Sequence, residues 1–290
     1  MHSFESLLSE ITEMQSASEF AENPAVLATE AVNGIKNKES MDDSDLKWTK
    51  EIFEKIFSPV TENAVSRDTA KNADVQTTLK QEYHDEPGVG RVLVTGNPFE
   101  LGENLDDCQG DNKRNYGGDC GVVTLTNILR MAGLDVTEDD VLNKGCKMHL
   151  VDQPWFASPE NKGGTSVYGR EKLLEAYGID CSVTDDKNGT GSLDSLAKYV
   201  ENGHGVNIST NAGYEWNELS AVENGYSNHS IAVTGTARNP ETGELKGLYV
   251  CDSGLTDRNS KALFLSVEVL EKCYVNTPGT SALITDKPIR

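Results

Sequence analysis

Cys120 stands where a thiol nucleophile is most easily made. A thiol attacks as its thiolate, and a free cysteine with a pKa of ~8.5 supplies only a few per cent of that form at neutral pH. A helix N-terminus helps, because the macrodipole is positive there, and a histidine alongside can complete a thiolate–imidazolium pair. Cys120 lies at the junction between the loop Tyr116-Gly117-Gly118-Asp119 and a strongly helical run. Gly121 directly after it lets a substrate backbone come close. On its own, the same pattern also describes a cysteine at an ordinary helix start.

The histidines narrow quickly. His2 and His84 fall in an N-terminal helical region and a polar tract, His149 in a loop, and His204 in a turn. His229 instead opens an apolar, β-rich strand, and the next strand ends in Asp252 just before Ser253 and Gly254. Two adjacent antiparallel strands joined through residues 238–246 bring the start of the first beside the end of the second. Asp252 is then placed to hold the tautomer and orientation of the His229 imidazole. Taken singly, His229 also reads as a strand-edge histidine and Asp252 as a turn residue capping the bend that follows.

The elements that must position these groups are legible as a pattern. A first strand is expected at residues 91–96, and the helix from Cys120 is closed by Gly133. Thr137 with Asp140 opens a second helix, and residues 169–178 and 192–203 read as two more. Strands follow over residues 204–210, 230–237, 246–253, 262–267 and 281–286, interrupted by a short helix at 267–273. Helices first and strands afterwards make an α+β arrangement, with helices packed on an antiparallel sheet. Ahead of it, residues 1–57 read as helices with apolar stripes such as Phe4, Leu7, Leu8 and Ile11, and residues 58–90 as a polar linker. The hydrolase domain is expected over 91–290.

Composition limits the partners. The formal net charge is −21 and the pI about 4.6, a surface that repels phosphate backbones and anionic lipid, so neither nucleic acid nor membrane is expected. No apolar run is long enough for a membrane helix, and the acidic N-terminus is unlike a secretory signal. The chain is expected to be cytoplasmic as made, with export open only by a route that needs no cleaved signal. The six cysteines form no CxxC pair or Cys/His cluster, so no metal and no cofactor are expected. Cys181 and Cys251 read as small buried residues in strands.

The order Cys, His, Asp resembles the papain-like cysteine peptidase superfamily. The likeness is closest to the bacteriocin-leader-processing (double-glycine) peptidases and to bacterial papain-fold toxin and effector domains. It is carried by DCGVVTLTNILRMAG around Cys120, NHSIAVTG around His229 and GLYVCDSG around Asp252, and spans roughly residues 92–290. The resemblance implies a papain-like fold, a helical lobe on an antiparallel sheet. It also implies an oxyanion-hole glutamine upstream of the cysteine, for which Gln109 is the candidate. Eleven residues separate the two, more than the family commonly has, and Asn112 and Asn115 are the fallback donors. The plant papain signature, with its second cysteine and following aromatic residue, is absent, and Asp252 stands where papains use Asn.

Three readings follow. A cysteine peptidase would pass through a thioester acyl-enzyme on a peptide or protein substrate. A side-chain amide hydrolase or acyltransferase, in the manner of a glutamine deamidase or transglutaminase-like toxin, would use the same machinery. A non-catalytic binding module would keep the fold without needing all three groups. An inhibitor or immunity protein is an expected partner of a toxin. The helices of residues 1–57 would serve as a prosegment or as a docking region. Trp155, Trp216 and Gly163-Gly164-Thr165 are candidates for walls of a substrate cleft.

Overall fold

The computed structural model describes residues 79–106, 108–255 and 260–290. The expected helices of residues 1–57 and most of the expected linker lie outside them. Four helices dominate the described chain: α1 (Cys120–Met131), α2 (Glu138–Lys147), α3 (Val167–Glu175) and α4 (Leu193–Glu201). Each of the last three starts where a hydroxyl can cap it. The Thr137 side chain accepts from the Asp140 amide in a capping box, Ser166 from Gly169, and Ser192 from Ser195. Gly133, at φ 82°, ends α1 in a conformation that most side chains avoid.

Eight strands form one antiparallel sheet: β1 (Gln81–Glu86), β2 (Gly90–Thr95), β3 (Cys181–Thr184), β4 (Val206–Thr210), β5 (His229–Arg238), β6 (Leu245–Cys251), β7 (Leu263–Ser266) and β8 (Ala282–Thr285). The order is β1-β2-β5-β4-β8-β3, and β6 pairs with both β5 and β7. β5 therefore has three partners: β4 along His229–Val233, β2 near its far end, and β6 through two register shifts.

Both faces of the central strands are covered, so these strands read as nearly continuous apolar runs rather than alternating ones. Ile231 and Val233 point to α4, where they pack with Leu196, Val200, Ile208 and Leu248. The residues between them face α1. There the small Ser230 and Ala232 let the helix approach, and the Thr124 hydroxyl donates to the Ser230 carbonyl at 2.9 Å. On the far side of α1, Leu125 and Leu129 are fully buried in one cluster with Val141 and Leu142 of α2 and Leu173 and Leu174 of α3. Burying each such side chain is worth about 1.5–3 kcal/mol, so the start of α1 is held by a rigid layer on each side.

One expected boundary is corrected. The polar tract expected to run to residue 90 gives way to a strand at Gln81, which pairs with β2 from Gln81↔Thr95 to Glu86↔Gly90. An edge strand needs only main-chain partners, and its side chains, of which Glu86 alone is buried, carry little apolar pattern. Among the described residues, no helix is long and apolar enough to cross a membrane.

Candidate active site

Cys120 is the first residue of α1, so its N–H has no acceptor within the helix. The turn before it is fastened by a buried carboxyl rather than by a capping side chain. Asp119 accepts from the Gly110 amide at 3.0 Å and from Asn112 at 3.1 Å, and Asn112 also donates to Glu138 of α2 at 2.8 Å. Burial pushes the Asp119 carboxyl up. Burial and the adjacent Asp119 push Glu138 up to about 9, so this pair keeps a proton at neutral pH. Gly121 is required for a steric reason: a Cβ there would lie 2.0 Å from the Thr165 hydroxyl.

His229 and Asp252 meet as the strand pairing dictates. The imidazole Nε2 lies 2.6 Å from Asp252 Oδ1, and both residues are buried. With Nε2 engaged there, Nδ1 is the nitrogen left for Cys120. Asp252 also accepts from the Gly254 amide at 2.8 Å and, at Oδ2, from the Trp216 indole N–H at 2.6 Å. The indole stands edge-on to the imidazole, with centroids 5.3 Å apart.

The electrostatics favour an ionised pair. Burial opposes ionisation of Cys120, yet interaction with His229 brings its thiol below the ordinary range. Burial likewise opposes charge on His229, but Asp252 and then Cys120 carry it well above its usual value. Asp252 is held low despite burial by its bond to His229. By contrast, burial pushes Cys146 and Cys273 up and Cys181 to about 12, which disfavours their thiolates.

The other expected residues fall in different places. Gln109 lies on the loop beside Asp252: its amide donates to the Gly117 carbonyl at 2.9 Å, and its main-chain N–H to the Ser253 carbonyl at 3.0 Å. Asn112 is spent on Tyr116, Asp119 and Glu138, and Asn115 occupies a turn at φ 54°. Trp155 is exposed against Phe156, whereas Gly164 and Thr165 line a cavity of about 280 Å³ beside Cys120 and His229. His204 bonds to the Thr285 carbonyl and His84 packs on Phe99, both apart from Cys120.

Three residues near the site have roles that the sequence does not signal. Trp216, expected to wall a cleft, instead holds Asp252 with its indole. Glu215, on a single helical turn, accepts from Thr210 at 2.7 Å. Burial and the neighbouring Asp252 push it up to about 8. Arg170 reaches the cavity from α3 and is buried. Only the fold brings these residues to the site.

Among the described residues no group of histidines, cysteines and acids is arranged to hold a metal ion. A family model described as the Peptidase_C39 like family matches residues 108–282, a span that contains Gln109, Cys120, Arg170, Glu215, Trp216, His229 and Asp252. The uncharacterized protein Rv1268c of Mycobacterium tuberculosis is 34% identical over 96 residues, 30% of this chain and 41% of that protein. The uncharacterized protein YvpB of Bacillus subtilis is 30% identical over 146 residues, 44% of this chain and 57% of its own length. The chain thus spans less than two-thirds of either relative. With the family matched across more than half of its length, the chain belongs to the Peptidase_C39 like family, within the papain-like cysteine peptidase superfamily, a membership that points to a cysteine peptidase.

Proposed function

We propose that the protein hydrolyses peptide bonds with Cys120 as nucleophile, His229 as proton carrier and Asp252 as the group that orients His229. The observation that carries this reading is the buried 2.6 Å contact of His229 Nε2 with Asp252, with the remaining ring nitrogen left for a thiol at a helix start. The thiolate attacks the scissile carbonyl carbon, and the carbonyl π electrons move to oxygen. The Cys120 main-chain N–H and the second N–H of the Gln109 amide are the donors assigned to that oxyanion. As the C–N bond breaks, imidazolium Nδ1–H gives its proton to the leaving amine. Neutral His229 then takes a proton from water, whose hydroxide cleaves the thioester and regenerates the thiolate. A side-chain amide would pass through the same acyl-enzyme.

Alkylation by iodoacetamide, followed residue by residue by mass spectrometry from pH 5 to 9, tests the pair. Cys120 should label fastest already at pH 5–6, and His229→Ala should remove that acidic reactivity. Labelling of Cys120 no faster than that of Cys108 across the whole range would overturn the assignment. Incubation with a peptide mixture separates the two chemistries: cut backbones mark peptidase action, and a gain of about one dalton at glutamine marks deamidation.

A further inference from the structure

The cavity beside Cys120 carries a buried guanidinium in its wall, in a protein of formal charge −21. Its lining contains no aspartate or glutamate. It is built of Cys120 and His229, a group of hydroxyls that includes Thr165, Ser209 and Ser281, and the guanidinium of Arg170. Arg170 is 5% exposed and makes no ion pair with any described carboxylate. Its Nη2 donates to Ser209 Oγ at 2.6 Å and its Nη1 to the Thr165 carbonyl at 3.1 Å and hydroxyl at 3.4 Å, all neutral acceptors. Its Nε has no partner.

A buried cation whose hydrogen-bond acceptors are all neutral is expensive, and the one negative charge that acts on Arg170 is the Cys120 thiolate, which is consumed once the thiol is acylated. A Cβ on Gly121 would lie 3.2 Å from Arg170 Nη1, so the guanidinium is packed against the positive end of α1. Helix α3 also presents its N-terminus here. Ser166 and Val167 line the cavity, and the Ser166 hydroxyl is already taken by the Gly169 amide, leaving the Val167 N–H without an intrahelical acceptor. Two helix starts, a guanidinium and several hydroxyls converge on one small space. The thiolate supplies one negative charge, which it shares between Arg170 and the His229 imidazolium that Asp252 also holds.

Resting on the peptidase reading, we infer that this cavity is a substrate subsite that receives a carboxylate, held by Arg170 and the start of α3. The carboxylate belongs either to an acidic side chain of the peptide or to its free C-terminus. Both present the same planar pair of oxygens to a guanidinium. About 280 Å³ is room for roughly one or two residues of peptide, in keeping with a side chain or a chain end rather than a folded surface.

Protection of Cys120 from iodoacetamide tests this on the full chain without a known substrate. Three probes are compared: N-acetylglutamate N-methylamide (side-chain carboxylate only), N-acetylglutamine (terminal carboxylate only) and N-acetylglutamine N-methylamide (neither). One of the two acids should protect at a concentration at least about tenfold lower than the neutral compound, the effect of one charge-assisted contact. Which acid protects identifies the source of the carboxylate. Arg170→Gln should abolish the difference and Arg170→Lys should retain part of it. Val167→Pro, which removes the N–H of α3 at a position where proline is tolerated, should weaken acid protection several-fold even if Arg170→Gln fails to fold. Equal protection by acid and neutral probes, with Cys120 still reactive in a His229-dependent way, would overturn the subsite and leave the peptidase intact. The subsite is equally overturned if the Arg170 variants slow labelling to the same extent with every probe, for then Arg170 serves only the thiolate. A Cys120 as unreactive as Cys108 would instead remove the peptidase reading and the subsite with it.

Discussion

Asp252→Asn distinguishes an acid that is chosen for its charge from one that merely fills a position. Three N–H groups donate to the two oxygens of Asp252, His229 and Gly254 at Oδ1 and Trp216 at Oδ2, and the raised Glu215 carboxyl lies beside them. Asparagine has only one acceptor oxygen. If that oxygen serves His229 and Gly254, the amide NH₂ faces the Trp216 N–H, and two donors collide; the flipped amide faces two donors instead. Asp252 is fully buried, so water cannot relieve the mismatch. Removing one partner of a buried charged pair costs about 3–5 kcal/mol, of which about 1–3 kcal/mol is the stranded indole donor. Trp216→Phe keeps most of the ring and deletes that donor. The double variant should therefore be about 1–3 kcal/mol more stable than the sum of the two single losses predicts. Urea unfolding at pH 7, followed by far-ultraviolet circular dichroism, measures all four proteins. Additivity within about 0.5 kcal/mol would show that Trp216 does not select the acid. In iodoacetamide labelling, both proteins carrying Asp252→Asn should lose the reactivity of Cys120 at pH 5–6, because a neutral amide no longer holds the imidazolium.

Other outcomes follow from the same geometry. Glu138 is raised to about 9 in the fold against an ordinary value near 4.5, so the native protein binds the extra proton across that window and stability falls as pH rises through it, by up to about 1.4 kcal/mol per pH unit. Glu138→Gln should flatten the profile between pH 5 and 9; an unchanged slope in thermal melts would remove the shared-proton account. Gly121→Ala forces a methyl onto the Thr165 hydroxyl and should cost about 1–3 kcal/mol, partly recovered by Thr165→Ala but not by Thr165→Ser. Gln109→Ala should lower kcat on any cleaved peptide by about 10²–10³, and a drop of less than about fivefold would return Gln109 to a loop tie.

The sequence is most informative where one residue type has one job. The stripe at Val122, Leu125, Ile128 and Leu129, with Gly133 behind it, marks a helix, although α1 is buried on nearly every side rather than on the stripe alone. The capping pair Thr137 and Asp140 locates the next helix to the residue. The meeting of His229 with Asp252 follows from strand order alone, because a hairpin brings the ends of its strands together. What stays hidden depends on contacts between distant segments. Nothing local marks the indole of Trp216 as the partner of Asp252, or Arg170 as a cation without an acid, since each is defined by what the fold sets against it. β1 is illegible for a related reason: an edge strand is recognised by its partner's main chain rather than by its own side chains.

The three-way pairing of β5 has a consequence for how the protein comes apart. A strand bonded to β4, β2 and β6 cannot be peeled from an edge. Its amides around Ile231–Val233 should be among the last to exchange with deuterium, at rates set by global unfolding. The turns bearing Trp216 and Gly254 are tied by fewer bonds and should exchange much sooner. His229 thus belongs to the most durable part of the molecule and the groups that tune it to a softer one. Under mild denaturant, the acid reactivity of Cys120 should fade while the sheet is still whole.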